Sequence, residues 1–64
     1  MTVQIALRQG SKLLEEGSIA APRLTAEVLL SKALGRDRTY FYSHPEAEVS
    51  ELEWLHYGRY LHER

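Results

Sequence analysis

The stretch from Ala21 to Gly35, APRLTAEVLLSKALG, constrains this chain more than any other. It reads as a helix with both ends marked. Pro22 stands where a first-turn residue needs no amide hydrogen, and Gly35 stands where a chain leaves a helix through a left-handed conformation. Stepped at about 100° per residue, Ala26, Leu29, Leu30, Ala33 and Leu34 form one wide apolar face. Leu24 and Val28 form a second stripe, set apart by Thr25 and Lys32 on one side and by Glu27 and Ser31 on the other. A helix apolar over most of its circumference is expected to be buried. The other segments are therefore expected to wrap around it, with Leu7, Leu14, Phe41 and Leu55 packed on nearly fully buried Leu29, Leu30, Ala33 and Leu34.

The flanking segments read as helices too. Thr2 is placed to cap a first helix running to about Glu16. Val3, Ala6, Leu7, Gly10, Leu13 and Leu14 share its apolar face, and Gln4, Arg8, Ser11, Lys12, Glu15 and Glu16 share the polar one, with Ile5 out of pattern on the polar side. Gly10 costs about 1 kcal/mol relative to alanine in a helix interior, and its place on the apolar face implies close approach to another backbone. Gly17 ends this helix, and Ile19 is expected to drop back onto the core. After Gly35, Asp37 or Thr39 can cap a turn or two, stopped by His44-Pro45 because a residue before proline avoids the helical region. Residues 46–49 read as a loop. Ser50 and Glu53 have the spacing of a capping box, with Val49 and Trp54 as its hydrophobic staple. The last helix gathers Trp54, Leu55, Tyr57, Gly58 and Leu61 on one side, with Leu52 at its edge. It carries no stop signal before Arg64, as expected of a helix cut at a linker. The fold expected is thus all-α: a small bundle of three main helices plus one short helix near Asp37–Ser43, residues 1–64 making a single domain around a central buried helix at 22–34.

Composition narrows the function classes. Sixty-four residues without a cysteine have no disulfide to lean on, which fits a reducing, cytoplasmic setting. A domain of this size buries only about 60% of its unfolded surface. The net charge of −1, with both signs interspersed, argues against a nucleic-acid-binding face, and the chain lacks the polar, basic recognition helix of a helix-turn-helix DNA binder. No apolar run has the length of a membrane span, and the first residues lack the basic and apolar blocks of a signal peptide.

Individual residues offer little chemistry. His56 and His62 are six apart and do not share a helix face, and no cysteine joins them or His44, so no metal site is expected. Glu15 and Glu16 are adjacent and diverge around the helix, which suits solvated charge rather than an acid/base pair. No base is placed beside Ser31 or Ser43. The glycines at 10, 17, 35 and 58 are too scattered for a phosphate loop. One cluster stands out: Arg36, Arg38, Tyr40 and Tyr42 have the composition of a protein interface. Arg36, Arg38, Tyr40 and His44 are the candidate protein-binding residues, with Phe41 pointing inward. The bland alternative is that Tyr40 and Tyr42 cap the end of the bundle.

The order of motifs resembles the N-terminal domain of the bacterial release-factor glutamine methyltransferases, the HemK/PrmC family. The resemblance lies in Ala21-Pro-Arg-Leu-Thr-Ala-Glu-Val-Leu-Leu with Ala33-Leu-Gly35, in Arg38-Thr39, in Tyr42-Ser-His-Pro-Glu46 and in the capped final helix, and it spans essentially the whole chain. It implies a helical bundle that precedes an S-adenosylmethionine-dependent catalytic domain. The family's enzymes methylate the side-chain amide of glutamine in the Gly-Gly-Gln motif of peptide-chain release factors, and the helical domain is thought to help recognise that protein. The family's Asn-Pro-Pro-Tyr motif and glycine-rich cofactor loop have no counterpart here. No catalytic, cofactor-binding or metal residue is therefore carried onto this chain: the fragment itself is expected to hold no cofactor, and only the parent to be an enzyme. The reading left beside it is a stand-alone helical interaction module with no enzymatic parent.

Overall fold

A computed structural model describes residues 1–63; the expectation about how the chain leaves at Arg64 lies outside the described residues. The fold is all-α, with four helices: α1 (Val3–Glu16), α2 (Pro22–Leu34), α3 (Arg38–Ser43) and α4 (Glu51–His62). Most helix ends follow their local chemistry, although Ala21 before α2 supplies no side-chain cap. Thr2 accepts a hydrogen bond from the Ile5 amide, and Gly35, in the left-handed region at φ 68°, closes α2 by donating to the Ser31 carbonyl. Ser50 and Glu53 form the full capping box on α4, the Ser50 side chain accepting from the Glu53 amide and the Glu53 carboxylate from the Ser50 amide. Gly17 caps α1 as expected, but the left-handed residues of the following turn are Ser18 (φ 61°) and Ala21 (φ 50°). Neither is glycine, and a side chain there costs roughly 1–2 kcal/mol.

Helix α2 touches each of the other three helices, but it is not buried all round. Only Ala26, Glu27 and Leu30 are fully buried. Leu29, Ala33 and Leu34 are half-buried against the core, while Leu24 and Val28 stand 45% and 50% exposed. A four-helix chain of this length has too few elements to cover a helix on every side. Leu7, Leu14 and Phe41 join Leu30 in the core, but Leu55 does not: it is exposed on the outer side of α4, and Tyr57 takes the interior position. Leu13, counted on the apolar face of α1, is likewise exposed.

Tyr57 also corrects the reading of Gly10. Fully buried, it reaches between the helices and donates its hydroxyl to the Ala6 carbonyl at 3.0 Å. A Cβ on Gly10 would overlap that hydroxyl and lie 2.8 Å from Cζ, so the glycine makes room for a side chain rather than for a backbone. Burial pushes the Tyr57 phenol far above its ordinary pKa, which keeps it protonated as the donor this bond requires.

The loop before α4 does more than connect. The Ala47 and Pro45 carbonyls accept from the Val3 and Gln4 amides at 2.9 and 3.0 Å, and the Val49 amide donates to the Met1 carbonyl at 2.7 Å. With Thr2 on the Ile5 amide, the amides that open α1 all find partners.

Candidate protein-binding surface

Helix α3 starts two residues after the left-handed Gly35, and that turn is held firmly. The Arg36 amide donates to the Ser31 carbonyl at 3.3 Å, and the Ser31 hydroxyl donates to the Arg36 carbonyl. Asp37 occupies the N-cap position without a side-chain hydrogen bond, and His44 closes the helix before Pro45. Phe41 points inward, 2% exposed, and anchors α3 to the core.

The four expected residues divide into two groups. Arg36, Tyr40 and His44 come together as a column. The Arg36 guanidinium lies over the Tyr40 ring at 4.6 Å, and the Tyr40 and His44 rings are 4.8 Å apart at 38°. Tyr40 is half-buried against the core and meets Phe41 edge-on at 6.2 Å, so the column stands on a fixed base. His44 Nδ1 lies 3.8 Å from a Glu46 carboxylate oxygen.

Arg38 turns away from the column and into a network centred on Glu27. Glu27 is 4% exposed. Its Oε1 accepts from the Tyr42 hydroxyl at 2.7 Å and from Arg38 Nε at 3.1 Å, and its Oε2 accepts from Arg23 Nε at 3.1 Å. Burial raises the pKa of this carboxyl, but the hydrogen bonds from Tyr42, Arg23 and Arg38, together with the Arg38 charge, outweigh it. The carboxyl therefore sits below its ordinary value and stays ionised. Tyr42 and Arg38 thus fasten α3 to α2. Sequence patterning had set Glu27 among the polar residues dividing two apolar stripes. The signal that could have revealed it was the pair of i,i+4 spacings, Arg23 to Glu27 and Arg38 to Tyr42, on consecutive helices.

Elsewhere, Gln9 and Leu13 on α1 face Trp54, Gly58, Leu61 and His62 on α4 across an apolar groove of ≈ 160 Å³. Among the described residues no three His, Asp or Glu side chains gather as metal ligands, and no helix is long and apolar enough to cross a membrane.

The Arg23, Glu27, Arg38 and Tyr42 network is built from the same motif residues that carry the family resemblance. A family model, the PrmC N-terminal domain, matches residues 6–64. The chain belongs to this family. The chain is also similar to the release factor glutamine methyltransferase of Koribacter versatilis (strain Ellin345), 36% identical over all 64 residues. Those residues correspond to 23% of that relative, so the chain spans about a quarter of its length. No solved structure matches the chain.

Proposed function

We propose that this chain is the substrate-recognition and scaffold domain of an S-adenosylmethionine-dependent methyltransferase that modifies the glutamine of the Gly-Gly-Gln motif in peptide-chain release factors. The observation that carries the reading is the alignment of the whole chain with one quarter of a release factor glutamine methyltransferase. The remainder of such a protein would supply the cofactor and the chemistry, in the cytoplasm, where release factors work.

The residues present here do not fit the cofactor. Gly10 lies beneath Tyr57, Gly35 closes α2, and the four glycines never share a loop. What this domain offers is a rigid surface. The column of Arg36, Tyr40 and His44, fixed beside the Glu27 network that holds Arg38, is where we place contact with the release factor. Tyrosine and arginine combine contact area with hydrogen-bonding capacity, as residues that dominate protein interfaces do.

The test uses the full-length enzyme and its intact release factor. Tyr40→Ala and His44→Ala should raise KM for the intact factor and leave KM for a short Gly-Gly-Gln peptide and for S-adenosylmethionine unchanged. If intact factor and peptide respond alike, or not at all, recognition lies elsewhere, the polar face of α1 around Arg8 and Lys12 being the next surface to test. Titrating S-adenosylmethionine into residues 1–64 alone should give no saturable heat, and micromolar binding there would overturn the division of labour. A gene whose reading frame continues past Arg64 into a glycine-rich loop and Asn-Pro-Pro-Tyr separates this reading from a free-standing interaction module.

A further inference from the structure

The arginines at this end of the bundle are not equivalent. Arg23 and Arg38 both bind Glu27. Arg36 does not: among the described residues no carboxylate lies within ion-pairing distance of its guanidinium, and its one side-chain partner is the face of Tyr40. A guanidinium held over a ring at 4.6 Å makes no hydrogen bond to it, so its N–H fork stays free for the two oxygens of a carboxylate. The fork is also held in place. The Arg36 backbone is tied to Ser31 through both its amide and its carbonyl, and Tyr40 is backed by Phe41 and His44. Contact with the ring restricts the Arg36 side chain before any partner arrives, which lowers the freedom lost on binding.

We propose that Arg36 binds the carboxylate of an aspartate or glutamate on the partner protein in a bidentate pair, with Tyr40 and His44 as the apolar platform beside it. This rests on the release-factor reading above and names the chemistry of the contact. The surroundings favour a single carboxylate over a polyphosphate chain. Asp37 follows Arg36 directly and is exposed, Glu46 faces His44 at the other end of the column, and the whole chain carries a net charge of −1. Nucleic-acid binding depends on several cations neutralising several phosphates, and this surface offers one unpaired arginine between two acids.

In the full-length enzyme, Arg36→Gln should raise KM for the intact release factor about tenfold, the effect of losing one charge-assisted pair, with kcat unchanged. Arg36→Lys keeps the charge but not the fork and should recover only a small part of that loss. Replacing the release factor's exposed Asp and Glu residues one at a time by Asn and Gln should reveal one position whose change raises KM with native Arg36. At that position the change should add nothing to Arg36→Gln, which is the signature of a direct pair. Thermal melts of each variant should match the parent, since Arg36 is exposed.

A rise in KM for Tyr40→Ala with none for Arg36→Gln would overturn the carboxylate contact and leave the recognition surface standing. Silence from both would remove the surface as well. Full rescue by Arg36→Lys, absence of any coupled acidic position, or competition by a short single-stranded RNA would each overturn the proposed pair.

Discussion

The two faces of α2 reverse the ordinary rule of burial. Facing inward is a carboxylate, Glu27, at 4% exposure, and facing outward are Leu24 and Val28, each about half exposed. Hydrophobicity alone puts these the other way round. Glu27 can be buried because donors reach both of its oxygens, one of them from its own helix and two from α3. Leu24 and Val28 stay outside because nothing covers them, although α2 touches all three other helices. Which residue enters the interior was decided by the partners within reach, and apolar character came second.

The largest effect is expected on the inward face. Leu30, fully buried on the inward face, should cost about 2–5 kcal/mol on truncation to alanine, measured by chemical denaturation. In a domain this small that is a large share of total stability. A cost below 1 kcal/mol would mean that the inward face is not the core.

Glu27→Gln should cost less, about 1–2 kcal/mol at neutral pH, because Arg23 and Arg38 are 57% and 43% exposed and water takes up part of what they lose. Acid separates the charge of this residue from its shape. The folded pKa of Glu27 lies below the ordinary value of 4.5, so its contribution is complete above that value. It is lost as pH falls through the lowered folded pKa. The stability gap between parent and Glu27→Gln should therefore be constant from pH 7 to about 5 and close below pH 4.5. A gap that persists in acid would assign the effect to shape rather than charge. The Leu30→Ala gap should not follow this profile.

The smallest effect belongs to the outward face. Leu24→Gln and Val28→Gln should each change stability by no more than about 0.5 kcal/mol. A loss of 2 kcal/mol at either position would show that the face is covered.

Much of the fold was legible because the signals were local. Pro22 marks the start of α2 by its fixed backbone angle, and Gly35 at its end, Thr2 at the start of α1 and Ser50 with Glu53 at the start of α4 act through bonds spanning three or four residues. Phe41 was placed correctly because α3 is short and offers one apolar side chain large enough to anchor it. The misreadings were all matters of pairing between distant segments. Leu55 and Tyr57 stand about 200° apart around α4 and cannot share one narrow face; the glycine opposite Tyr57 admits it to the interior. Of the candidate surface, composition grouped Arg36, Arg38, Tyr40 and His44; which of them stack together and which reaches Glu27 depends on how α3 packs on α2, and nothing in the residue types reveals that.

The hydrogen bonds between the start of α1 and residues 45–49 bear on the order in which the molecule assembles. Val3 and Gln4 are synthesised well before their partners, because the carbonyls that satisfy their amides lie about forty positions further along. At roughly 5–20 residues per second, the opening turn of α1 waits some seconds for its partners. That turn is then closed by contacts of high sequence separation, which lose the most chain entropy and tend to form late. The opening turn of α1 is in this way locked late, and the step that locks it also sets the loop from which α4 departs.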